Sequence, residues 1–84
     1  EFDGPTALDI DAAGRFAVVV TYKDAFLYPR REGQSWRDAF AATPTLIRLP
    51  HLRQTEAGAI SSDGRTLTVS GEGVHMAIAQ VPLP

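Results

Sequence analysis

Residues 6–22 read TALDIDAAGRFAVVVTY, and this stretch decides the fold of the chain. Apolar residues on both sides of a Gly predict two strands, at 6–11 and 16–21, joined by a tight turn at Ala13-Gly14. Gly14 provides the positive φ that such a turn needs. The run from Phe16 to Val20 is apolar without alternation, which predicts a strand that is covered on both faces.

The same pattern returns 50 residues later. Residues 56–65 read EAGAISSDGR where residues 6–15 read TALDIDAAGR. Several positions coincide at this offset: Ala7 with Ala57, Ile10 with Ile60, Val19 with Val69, and Gly14-Arg15 with Gly64-Arg65. A period of about 50 residues is typical of a repeat in which each unit is one small sheet.

Both repeats continue with further strands. In the first repeat a third strand is predicted at 25–28, and a fourth, outer strand at 45–49. The second repeat has the same order, with strands predicted at 56–61, 66–70 and 75–81. Its turn at Asp63-Gly64 is the stronger form of the hairpin signal.

A short helix is predicted in the connection between the third and fourth strands of the first repeat. Ser35 is suited to the N-cap, and Asp38 stands three residues later as in a capping box. Trp36 and Phe40 are four residues apart and therefore share one face of this helix. Pro44 should end it, because proline disfavours helical backbone in the preceding residue.

These elements predict an all-β chain. We expect two antiparallel four-stranded blade-like repeats, a β-propeller fragment, with one short connecting helix. Residues 1–84 form a single segment, with repeat one at about 5–50 and repeat two at about 55–83. The alternative is a small independent β-barrel or sandwich.

Composition limits the class of protein. A chain of 84 residues, 44% of them hydrophobic and 21% charged, has room for one core. It has no Cys, so no disulfide stabilises it. The net charge of −2 comes from interspersed signs, which argues against nucleic acid as a partner. No apolar run approaches the roughly 18 residues of a membrane span.

Three segments resemble bacterial β-propellers, in particular the last blades of secreted phytase-like and esterase-like members. They are residues 6–10 leading to Gly14-Arg15, residues 54–57 leading to Asp63-Gly64-Arg65, and residues 69–73. The resemblance extends over nearly the whole chain. It implies an extracellular or periplasmic location.

The resemblance also implies that Glu56, and with it Glu72, binds calcium. In such propellers the Glu that opens an innermost strand after Gln-Thr faces the central channel, and in phytase-like members acidic residues of this kind bind calcium. The Gly that follows this Glu in the family is Ala57 here. Because calcium takes six to eight oxygen ligands, other blades would have to supply the rest of the site.

Other polar residues are predicted to have no chemical role. Asp9 and Asp11 alternate with Leu8 and Ile10, so we expect both carboxylates to point away from the apolar face, as rim residues; the alternative is that they line a channel. The two His residues, His51 and His75, lack the spacing of a metal-binding pair. Ser70 lacks the upstream Gly of a nucleophile elbow, because Thr68 stands in its place. No catalytic residue is therefore predicted.

Two functions follow as hypotheses. The first is a non-catalytic binding or structural β-propeller segment that holds a ligand, an ion or a protein partner at the channel or rim. The second is the C-terminal fragment of a calcium-dependent phytase-like or esterase-like hydrolase. Under either, two blades alone would expose strand edges and apolar faces. We therefore expect the partners to be the remaining blades of a longer chain, or further copies that associate into a ring.

Overall fold

The structure is a computed structural model that describes residues 4–50, 55–71 and 78–84, and these residues form two antiparallel sheets. Sheet one pairs, in chain order, β1 (Pro5–Ile10), β2 (Phe16–Thr21), β3 (Asp24–Pro29) and β4 (Thr45–Arg48). Sheet two pairs, also in chain order, β5 (Ala57–Ile60), β6 (Thr66–Ser70) and β7 (Ile78–Pro82). Helix α1 (Trp36–Ala41) lies between β3 and β4.

The predicted all-β fold, with two antiparallel sheets and one short helix, is confirmed. Strands β2 and β6 have the predicted bounds. Sheet two contains three strands among the described residues, whereas four strands were predicted for each repeat. The predicted start of β7 at residue 75 lies outside the described residues.

Helix α1 begins as its sequence predicts. The Ser35 hydroxyl accepts a hydrogen bond from the backbone N–H of Asp38 at 3.1 Å, as an N-cap does. Aromatic side chains then fix the helix to sheet one. The ring of Phe40 packs edge-on against Tyr28 at 5.1 Å and lies 5.7 Å from the ring of Trp36. The Arg30 guanidinium lies over the Trp36 ring at 5.0 Å.

The core lies between the two sheets. The inner face of sheet one includes the buried residues Phe16, Val18, Val20, Ala25, Leu27 and Ile47. The inner face of sheet two consists of Gly58, Ile60, Leu67, Val69, Ala79 and Val81. Gly58 allows close approach, because a Cβ atom at this position would lie 2.8 Å from Cγ2 of Val20.

Polar contacts also join the sheets along β1 and β5. The Thr6 hydroxyl donates to the carbonyl of Thr55 at 3.0 Å. The carboxylate of Asp9 accepts from the backbone N–H of Ile60 at 2.8 Å. The edge strand of each sheet is therefore held against the other by hydrogen bonds as well as by apolar packing.

The outer face of sheet one is apolar and open. Residues that face each other in register form one row across all four strands: Leu8, Val19, Phe26 and Leu46. Leu8 is 56% exposed and Leu46 is 45% exposed, and Ile10 in the next row is 44% exposed. Helix α1 packs over Tyr28 at one end of this face. In the row of four, Leu8 and Leu46 are exposed, and Val19 and Phe26 between them are half-buried.

Strand β1 alternates as predicted, with Asp9 on the opposite face from Leu8 and Ile10. The face that sheet two covers is the one with the carboxylates: Asp9 bonds to sheet two, and Asp11, predicted to be a rim residue, is only 2% exposed. Alternation separates the two faces of a strand but does not say which face another sheet will cover. Here the face with the carboxylates is covered, because donors from β5 and from the following turn satisfy them.

Candidate functional site

Two hairpin turns meet at one edge of the molecule. Their backbone hydrogen bonds are the same at positions 50 residues apart. In the first turn, Asp11 N–H donates to Phe16 O at 3.0 Å and Gly14 N–H donates to Asp11 O at 2.8 Å. In the second turn, Ser61 N–H donates to Thr66 O at 2.8 Å and Gly64 N–H donates to Ser61 O at 2.9 Å. The third residue after the start of each turn is a Gly with positive φ, 71° in the first turn and 75° in the second. Both turns therefore direct the Arg that follows this Gly to the same edge.

A buried carboxylate organises the first turn. Asp11 accepts hydrogen bonds from three groups of Arg15: the backbone N–H at 3.2 Å, Nε at 3.0 Å and Nη2 at 3.4 Å. The Arg15 side chain is 61% exposed, so the ion pair joins the interior to the surface. The Arg15 side chain holds the pKa of Asp11 below its ordinary value of 3.8, although burial opposes this effect.

The second turn uses a hydroxyl where the first uses a carboxylate. The Ser61 hydroxyl accepts from the backbone N–H groups of Arg65 and Thr66, at 3.2 and 3.0 Å. It donates to the Asp63 carboxylate at 2.6 Å. This hydrogen bond lowers the pKa of Asp63. The charge of Asp63 is thereby held within its own turn.

The second turn packs directly on the ion pair of the first. The Arg15 guanidinium reaches the carbonyl of Asp63 at 3.5 Å. A Cβ atom at Gly64 would lie 2.5 Å from Nη2 of Arg15 and 2.8 Å from Oδ1 of Asp11. We call Asp11, Arg15, Asp63, Gly64 and Arg65 the paired-turn site.

An open cavity of about 650 Å³ adjoins the paired-turn site. Arg15 and Arg65 line it together with Phe16, Leu83 and neighbouring turn residues. Guanidinium groups present planar sets of N–H donors that match carboxylate and phosphate oxygens. This edge is thus equipped to contact a polar or anionic partner. The sequence did not identify the paired-turn site. Its only sequence signal is an Asp four residues before an Arg, and the second turn reaches that pair only in the folded chain.

The structure does not test the predicted calcium ligands together. Glu56 is exposed, and its backbone N–H donates to the carbonyl of Ser70 at 2.9 Å. Glu72, like His51 and His75, lies outside the described residues. Within residues 4–50, 55–71 and 78–84, no group of three or more His, Cys, Asp or Glu side chains could hold a metal ion. The same residues include no helix that is long and apolar enough to cross a membrane.

The Asp11→Asn variant should lose part of the acid sensitivity of the fold. The pKa of Asp11 is lower in the folded chain than its ordinary value of 3.8. The ionised carboxylate therefore stabilises the fold at pH values above 3.8, and this contribution disappears as the pH falls through the lowered pKa. The variant should therefore be less stable at neutral pH, and its stability should fall less on acidification. Urea unfolding between neutral pH and about pH 2 measures both quantities.

The matched control for this experiment is Glu32→Gln, which removes an exposed carboxylate of another turn. It should keep the pH dependence of the parent chain. Asp63 should contribute to the acid sensitivity that remains in Asp11→Asn, since its pKa is lowered too. If Asp11→Asn and Glu32→Gln had the same pH profile, the ion pair would contribute nothing to stability.

Comparisons with known proteins give no relative: no protein-family model, curated protein or solved structure matches the chain.

Proposed function

We propose that the chain is a non-catalytic structural or binding segment of a β-propeller, formed by two successive blades. The observation that supports this proposal is the direction in which the sheets stack. Sheet two packs on sheet one with the face that corresponds, 50 residues earlier, to the face sheet one leaves open. Units that stack in one direction leave a free face at each end, and further units of the same kind fit both.

The correspondence holds residue by residue. The inner face of sheet two contains Gly58, Ile60, Leu67 and Val69. The positions 50 residues earlier are Leu8, Ile10, Ala17 and Val19, which lie on the outer face of sheet one. Val18 and Val20, on the inner face of sheet one, correspond to Thr68 and Ser70 on the outer face of sheet two. The same two kinds of face thus alternate through the stack.

The proposed binding surface is the rim that holds the paired-turn site. The contacts of β1 with β5 hold equivalent strands of the two sheets beside each other. The innermost strands of neighbouring blades lie beside each other in the same way around a propeller channel. The two turns then lie at one end of the stack and bring Arg15 and Arg65 to a shared cavity. A ligand or protein partner held there needs no catalytic group in this chain.

A tandem fusion of two copies, joined by a flexible Gly/Ser linker, tests the stacking in one chain. We expect a higher melting temperature than for the single chain, because the outer face of sheet two in the first copy will pack on the outer face of sheet one in the second. Each kcal/mol gained at this junction should raise the melting temperature by about 2–4 °C. Differential scanning calorimetry measures the change.

The control places one substitution at two positions of the fusion. Thr68→Glu in the first copy puts a charge into the new junction, whereas Thr68→Glu in the second copy puts it on a free face. Only the first should remove the gain. If the fusion melts like the single chain, or both versions of the substitution act alike, the proposed stacking is wrong.

The same calorimetry with and without millimolar calcium addresses the hydrolase hypothesis. The structural or binding proposal expects no change in melting temperature on addition of calcium. A rise that Glu56→Gln abolishes, and that Glu32→Gln leaves intact, would instead support the calcium-dependent hydrolase.

A further inference from the structure

We infer that the outer face of sheet one in one copy packs on the outer face of sheet two in a second copy, so that the chain associates head to tail. This inference rests on the proposed stacking of the sheets, with a second copy of the chain as the partner. The two faces differ, so the interface is heterologous, and successive copies add in one direction to form a ring or an open row.

The first face is an apolar surface of large side chains, of which Leu8, Ile10 and Leu46 are exposed. The row Leu8, Val19, Phe26 and Leu46 crosses all four strands, and no member is charged. Ile10 extends it. Soluble proteins seldom leave a contiguous apolar face in water unless another surface covers it.

The second face has the opposite shape. The outer face of sheet two presents small side chains on adjacent strands: Ala57, Ala59, Thr68 and Ser70. Together with Ile78 they line a shallow hollow of about 260 Å³. This face has no charged side chain in its registered rows, which continue through Ile78 and Gln80. On the outer face of sheet one, Asp24 and Arg48 stand opposite each other beside the apolar row, so the two charges at the edge of the contact have opposite signs.

The contact inside one chain shows how the two faces fit. There, Val20 of sheet one packs against the hydrogen of Gly58 in sheet two, a large side chain against none. The positions equivalent to this pair at the junction are Ser70 of one copy and Leu8 of the next. The small residue has moved to the other side, so that a large side chain again faces a small one. This reciprocal match favours a second copy over an unrelated partner.

Solution mass as a function of concentration tests the inference. We expect the mass to rise from that of one 9.1 kDa chain to at least twice that value as concentration increases. Leu46→Glu should weaken association at least tenfold, since it puts a charge into the apolar row. Thr45→Glu is the matched control: it introduces the same charge at an exposed position of the same strand but on the opposite face. It should associate like the parent chain.

Mixing two variants tests the head-to-tail geometry. Leu46→Glu leaves the sheet-two face intact, and Thr68→Glu leaves the sheet-one face intact. Each variant alone should be monomeric, while an equimolar mixture should form a 1:1 dimer that cannot grow. Persistent association of either variant alone, or a mixture that stays monomeric, would overturn the inference. Circular dichroism verifies that both variants remain folded.

The outcome also separates this inference from the proposed function. If the parent chain stays monomeric at every concentration while the tandem fusion is stabilised, the two faces pack only when they are covalently linked. The inferred association of separate copies is then wrong, while the proposed stacking stands. If the fusion is not stabilised either, the stacking proposal fails as well.

Discussion

Gly58→Ala is expected to lower the free energy of unfolding by about 1–3 kcal/mol, the usual cost of adding atoms to a packed core. The added Cβ would lie 2.8 Å from Cγ2 of Val20, closer than real Cβ atoms approach their neighbours. Val20 cannot easily move away, because it is 1% exposed and its β-branched side chain has few rotamers. The sheets would have to separate locally, which weakens the whole core.

The effect of Gly58→Ala on the free energy of unfolding should reverse when the Val20 side chain is shortened. In a Val20→Ala background, Gly58→Ala should be neutral or should raise stability by up to about 1 kcal/mol, since Ala is preferred to Gly inside a strand. Urea denaturation of the two single variants and the double variant gives the coupling free energy. Gly4→Ala is the control, because no atom lies within 4 Å of that Cβ position. Additive effects of the pair would show that the sheets do not meet at Gly58.

Local chemistry made most secondary structure predictable. The Gly turns, the Ser35 cap and the apolar run of β2 act within a few residues of the chain, and each appears where the sequence indicates. The 50-residue offset likewise identified turns that have the same backbone hydrogen bonds. These features depend on φ preferences and on nearby donors, which sequence patterns record directly.

The choice of covered face could not be predicted in the same way. Strand β1 offers Leu8 and Ile10 on one side and Asp9 and Asp11 on the other, and burial of the carboxylates is favourable only because β5 and Arg15 supply donors. Those donors come together only in the folded chain. For the same reason the sequence did not show that Asp11 is the buried centre of the paired-turn site.

The role of Gly58 was also beyond sequence reasoning. In the sequence it is one of several small residues in a strand, and only the distance to Val20 shows that any side chain there would collide. Of the predicted calcium ligands, Glu56 is exposed at the start of β5 and Glu72 lies outside the described residues. Their calcium role remains a prediction that the melting experiments address.

Gly64→Ala is expected to be more damaging than Gly33→Ala, although both replace a Gly with positive φ, 75° and 80° respectively. The strained backbone alone should cost each variant about 1–2 kcal/mol. Gly33 has no neighbour within 4 Å of its Cβ position, so its variant should show this cost only. At Gly64 the new methyl group would also press on the Asp11–Arg15 ion pair.

The difference between these two variants therefore measures the contact between the turns. Arg15 can swing outward, since its side chain is 61% exposed, but Asp11 is buried and held by hydrogen bonds. We expect an excess loss at Gly64 of about 1–3 kcal/mol in urea denaturation. The excess should shrink in an Asp11→Ala background, where the colliding oxygen is absent. Equal losses of stability in Gly64→Ala and Gly33→Ala would mean that the second turn does not pack on the ion pair. Arg15 and Arg65 would then not line one shared cavity.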